Sequence, residues 1–158
     1  MKKNKGFSMV ELIIVIAIMA ILAGALAPAL IKYINKSRIS TDIQTANTIA
    51  TAVQTALANE SGYDAAPSAG WTNLTWDSAN SDAFWGPVTS AIGGSSVPTP
   101  KAKKCLKSTT MGGDFQIDVD TANNTVRVKE STGNHLLFPT ADKCLTDDSA
   151  GSCSASGT

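Results

Sequence analysis

Among the residues able to do chemistry, Glu11 has the position that most demands a reason. It stands at the start of the most apolar part of the chain, where Leu12 to Ile31 runs for twenty residues without a charge, broken only by Gly24 and Pro28. A carboxylate beside such a stretch is costly to desolvate unless a positive partner is supplied. Charge pairing, not proton transfer, is the chemistry open to it. A cut between Gly6 and Phe7 would create an α-amino group four residues, about 6 Å of helix rise, before Glu11. That ammonium is a candidate counter-ion for Glu11 of a neighbouring copy.

The other reactive side chains are sparse. Cys105, Cys144 and Cys153 together with the single histidine, His135, would supply four zinc ligands, but no C-x-x-C spacing supports such a site. No metal or cofactor is expected from the pattern. In an oxidising compartment one intramolecular disulfide is allowed, and it leaves one of the three cysteines over. Asp142, Asp147 and Asp148 could ligate calcium, though their spacing is not an EF-hand loop. The chain has no G-x-S-x-G, no H-E-x-x-H and no phosphate-cradling glycine loop, and His135 has no nucleophile at a recognisable spacing. An enzyme has no residues to rest on.

Charge excludes a second class. Thirteen Lys and Arg balance thirteen Asp and Glu, so there is no global electrostatic footprint for nucleic acid. The dense basic group Lys101, Lys103, Lys104 and Lys107 reads as a solvated loop that guards a strand edge, with DNA or an acidic neighbour as the alternative.

The elements that must position these groups follow from hydropathy. Twenty apolar residues in a helix span about 30 Å, the thickness of a bilayer core. Lys2, Lys3 and Lys5 precede the stretch, as in a secretory signal, but the apolar run exceeds the roughly 7 to 15 residues of such signals. Its small-x-small site, Ala25-Leu26-Ala27, is followed by Pro28. A single-pass anchor is the second reading. Lys32, Lys36 and Arg38 match the three leading lysines, so the basic residues do not set its orientation.

Beyond Arg38 the pattern becomes one-sided. Ile39, Ile43, Ala46, Ala50, Val53 and Leu57 recur at steps of four and three, widened by Ile49, and polar residues including Asp42 fill the other face. One helix is expected from Phe7 to about Asn59, kinked by Pro28 and stopped by Gly62. From Ser61 to about Pro100 the composition is that of a loop, with Trp71, Trp76, Phe84 and Trp85 as anchors to the head or, as a sharper alternative, a carbohydrate-stacking platform. Near the end the period falls to two. Phe115, Ile117 and Val119, then turn residues 120–124, then Val126 and Val128 predict a β-hairpin, with Asp118 and Asp120 facing Arg127 and Lys129. His135 to Phe138 is a third candidate strand, ended by Pro139. The fold class expected is α+β: a long N-terminal helix packed on a small antiparallel sheet of three or four strands.

The stretch Lys5-Gly6-Phe7-Ser8-Met9-Val10-Glu11-Leu12-Ile13, with the apolar run behind it, resembles the leader and start of a type IV pilin. Pro28, where such helices commonly kink, and Tyr33 extend the resemblance over about the first forty residues. It implies a pilin fold with a leader at 1–6, a membrane and filament-core helix at 7–38, and a head at 39–158. The head would hold an amphipathic half at 39–60, a variable loop at 61–112, and a sheet with C-terminal loop at 113–158. A prepilin peptidase would cut between Gly6 and Phe7 and methylate the Phe7 amine. The head would lie outside the cytoplasm, and an assembly platform would draw identical subunits from the membrane into a surface filament for adhesion or motility. Glu11 and Pro28 would be its assembly residues, and Cys144 would bridge to Cys153 or to Cys105. The alternatives are a pseudopilin of a type II secretion or competence system and an anchored binding protein that never polymerises. Loss of the leader lysines leaves ten basic side chains against thirteen acidic ones, which does not favour DNA uptake as the main task.

Overall fold

The computed structural model describes residues 7–66, 71–74, 83–92, 99–102, 105 and 110–147, the stretch 71–74 by its backbone. Helix α1, Met9–Ala58, is continuous over 50 residues and carries Pro28 inside it without ending there. Its first turn is closed by the Leu12 amide on the Ser8 carbonyl at 3.3 Å. The helix stops four residues short of Gly62. Asn59 takes extended angles, φ −87° and ψ 133°, and a six-residue helix α2, Glu60–Ala65, begins after it. Gly62, expected as a helix stop, is buried inside α2. A Cβ there would collide with the Ala56 carbonyl oxygen and lie 3.3 Å from that of Ala83, so close backbone approach is what requires glycine.

The chain divides after Ile34 into two compact units. In the unit from Asn35 onward, α1 buries Ile39, Ala46, Ile49, Ala50, Ala52, Val53, Ala56 and Leu57, with Ile43 half-buried beside them. This is the expected stripe, and one residue departs from it. Asp42, placed by periodicity on the polar face, is only 1% exposed. Its two carboxylate oxygens accept the Lys101 amide at 2.8 Å and the Ala102 amide at 2.7 Å. A buried carboxylate is tolerable when backbone donors satisfy it, and here it anchors a segment some sixty residues away along the chain.

On the polar face, Thr41, Thr45, Thr48, Thr51 and Thr55 each donate the hydroxyl proton to the carbonyl four residues earlier, at 2.8 to 3.1 Å. Such back-bonding is the usual resting place of a threonine within a helix.

Four antiparallel strands, β1 (Trp71–Leu74), β2 (Phe115–Asp120), β3 (Thr125–Glu130) and β4 (Leu136–Phe138), lie in sequence order in one sheet. Phe115, Ile117, Val119, Val126, Val128 and Leu137 enter the same core as the α1 stripe. The β2–β3 hairpin has the predicted limits, and of its two aspartates Asp118 meets the expected Arg127 and Lys129 whereas Asp120 binds the turn instead. Asp118 binds Lys129 at 2.8 Å, diagonally, and Arg127 at 3.6 Å. Asp120 stands opposite Thr125 and turns inward on the hairpin end, accepting the Ala122 and Asn123 amides and the Asn123 side chain at 2.7 Å. Asn124 completes the turn with φ 51°, which asparagine tolerates.

The segment 61–112, expected as a loop, carries α2, β1 and an eight-residue helix α3, Trp85–Ile92. Pro87 sits in the first turn of α3, where a missing amide proton leaves no helical bond unmade. Phe84 and Trp85 meet edge to face at 5.2 Å and 81°, both buried. They act as the anticipated core anchors and are not available as a sugar platform. Trp76 and the Trp71 side chain lie outside the described residues. A four-residue turn of helix, α4 (Lys143–Thr146), closes the described part of the chain.

At the far end of β3, Glu130 is fully buried. Oε2 accepts the Gly112 and Thr132 amides, each at 3.0 Å, and Oε1 accepts the Gly133 amide at 2.6 Å and the His135 amide at 3.3 Å. Four amides around one carboxylate fix the β3–β4 turn.

Candidate functional site

Glu11 lies in the first turn of α1, and its Oε2 accepts the Ser8 amide at 3.0 Å. Ser8 occupies the N-cap position and Glu11 the third helical one, the spacing of a capping box. The Ser-x-x-Glu pattern was present in the sequence, so this second role of Glu11 had a signal. The carboxylate also faces the positive end of the helix dipole. Its partner within the chain is a neutral amide, and an ammonium would be a stronger one. Phe7, the residue before Ser8, is 86% exposed.

Every residue from Phe7 to Ile34 is exposed, including Leu12, Ile21, Leu26, Ile31 and Tyr33. Covering one such aliphatic side chain is worth about 1.5–3 kcal/mol, so the whole stretch represents tens of kcal/mol. The helix is long and apolar enough to cross a membrane. Pro28 is among its exposed residues.

Gly6 and Cys153 lie outside the described residues. Cys105 and Cys144 are buried thiols, and the structure brings them together with buried His135. Of the calcium set, Asp142 is buried, accepts the Leu136 amide at 3.0 Å and faces His135 Nδ1 at 3.5 Å, Asp147 is exposed, and Asp148 lies outside the described residues. Of the basic group, Lys101 is described, and its amide is held by Asp42; Lys103, Lys104 and Lys107 lie outside. Sequence reasoning missed Asp42 and Glu130 as anchoring carboxylates: the amides on Asp42 lie some sixty residues away, and those on Glu130 belong mostly to the turn that follows it.

Residues 1–27 match the family model described as the prokaryotic N-terminal methylation motif. Compared with the curated proteins and with the solved structures, the chain finds no match. The N-terminus is therefore a prepilin-type leader followed by a long apolar helix of the kind found in type IV pilins and pseudopilins. Such a leader implies processing by a prepilin peptidase and assembly into a pilus-like polymer.

Proposed function

We propose that this chain is the structural subunit of a type IV pilus, a surface filament. Residues 1–6 are removed between Gly6 and Phe7, residues 7–38 serve first as membrane anchor and then as filament core, and residues 39–158 form the extracytoplasmic head. The observation that carries the proposal is a carboxylate in the first turn of a helix whose next twenty-three residues, through Ile34, are all exposed and mostly apolar. In a membrane this acid lies near the headgroups, at modest cost. Among packed helices it is desolvated, and the ammonium of Phe7 on an adjacent copy is the partner that offsets that cost. Glu11 so sets the register of one subunit against the next.

Glu11→Ala should leave cleavage after Gly6 intact, read by N-terminal sequencing, and reduce sheared filaments at least tenfold, read by electron microscopy. Undiminished filaments would remove the register role. A mature N-terminus other than Phe7 would remove the processing assignment.

A further inference from the structure

We propose that Cys105, His135 and Cys144 form a binding site for a thiophilic divalent cation of the zinc class. The three residues come from separate places: Cys105 from the chain ahead of β2, His135 from the turn before β4, and Cys144 from α4. Their ligand atoms lie within 4.8 Å of one another, and the residues are 2%, 0% and 4% exposed. No local spacing announces them, which is why the sequence pattern argued for no metal.

The distances suit a tetrahedral ion. Zinc binds thiolate at about 2.3 Å and imidazole at about 2.0–2.1 Å, so adjacent ligand atoms around it stand about 3.5–3.8 Å apart. Cys144 Sγ is 3.8 Å from His135 Nδ1. The remaining spread closes with side-chain movements of about 1 Å.

The imidazole supplies the second argument. His135 is fully buried, yet Nδ1 has only the 3.5 Å approach of Asp142 and the 3.8 Å approach of Cys144, and Nε2 has no hydrogen-bond partner among the described residues. Buried polar groups are rarely left so poorly satisfied. A cation on Nδ1 engages the ring's lone pair and fixes the proton on Nε2. A Cβ placed at Gly133 would stand 2.7 Å both from Nε2 and from Glu130 Oε1, so Nε2 shares a corner with a carboxylate. Glu130 Oε1 is taken up by the Gly133 and His135 amides and makes no hydrogen bond to Nε2.

A direct bond between the two sulfurs would use both thiols and leave the histidine as poorly satisfied as before; the cation engages all three. Binding converts two thiols to thiolates and releases two protons to solvent, so the divalent charge is balanced by two thiolates with a neutral imidazole. The fourth tetrahedral position is open to a further donor. The ion would fasten α4 and the Cys105 segment to the turn that Glu130 organises.

The test uses the full chain in detergent, reduced, stripped of metal with a chelator and titrated with cobalt(II), then zinc. One equivalent of cobalt should bind with a thiolate-to-cobalt charge-transfer band and visible bands of tetrahedral intensity, and zinc should abolish both. Cys105→Ser and Cys144→Ser should each remove about half of the charge-transfer intensity, and His135→Gln should weaken binding at least roughly tenfold, given that loss of even an outer partner costs 10- to 100-fold. Circular dichroism separates loss of binding from loss of fold, and the wild-type titration stands if a variant does not fold. A reduced, folded wild type that takes up neither metal overturns the proposal. So does uptake unchanged in both cysteine variants, or chain isolated from cells metal-free with Cys105 joined to Cys144.

Discussion

Three acidic side chains define how this molecule uses charge. Glu11 is exposed and holds its own helix start, whereas Asp42 and Glu130 are buried, Asp42 holding backbone some sixty residues away and Glu130 the Gly112 amide together with those of the turn that follows it. The difference is one of donors. Removing the Asp42 carboxylate strands the Lys101 and Ala102 amides, at about 1–3 kcal/mol for the buried Ala102 donor left unsatisfied and less for the more exposed Lys101 one. Asp42→Ala should therefore lower the urea midpoint of the head markedly, while Gln44→Ala, on the exposed face of the same helix, should leave it nearly unchanged; equal midpoints would mean that Asp42 is dispensable. Glu11 stood out in the sequence, from its apolar context, as a carboxylate in need of a partner. Asp42 did not, because helical periodicity reports which face a residue occupies and carries no information about distant amides that need an acceptor.

At the level of elements, the hairpin shows how a turn becomes acid-sensitive. The Asn123 side chain, aided by the Asn123 and Ala122 amides and by the charge of Arg127, holds the Asp120 carboxyl below its ordinary 3.8, with desolvation opposing. A lowered folded pKa means that the ionised form stabilises the fold above the unfolded value and that this contribution fades as pH falls through the folded one. Asp120→Ala should thus destabilise the head at neutral pH, and the gap between variant and wild type should narrow in denaturant titrations as the pH falls below the ordinary carboxyl value of 3.8. A gap independent of pH would mean that the turn uses the side chain's shape and not its charge. The limits of α1, β2 and β3 were readable because long periods of 3.6 and 2 are strong signals. Elements α2, β1 and α3 were not, since elements this short gain their stability from tertiary context and not from local preference, as the buried Trp85 of α3 indicates. The Cys105, His135 and Cys144 group was visible in the sequence as ligand types without ligand spacing, for a related reason: its members become neighbours only in the folded head.

For the whole molecule, the boundary after Ile34 separates a stretch whose described residues, 7–34, are all exposed from a unit with a core of its own. A chain beginning at Asn35 should be monodisperse in buffer without detergent and keep a cooperative unfolding transition, whereas the full chain should require detergent or self-association, by size-exclusion chromatography with light scattering. Aggregation of the shorter chain would mean that its fold depends on the residues before it.

The threonine row along α1 has a directional consequence for whatever lies against it. Each hydroxyl has already given its only proton to the helix backbone, so the row turns bare oxygen lone pairs and methyl groups outward. It can receive a hydrogen bond and cannot offer one. A contacting surface rich in lysine or amide hydrogens finds a match there, while one lined with carboxylates finds nothing to hold.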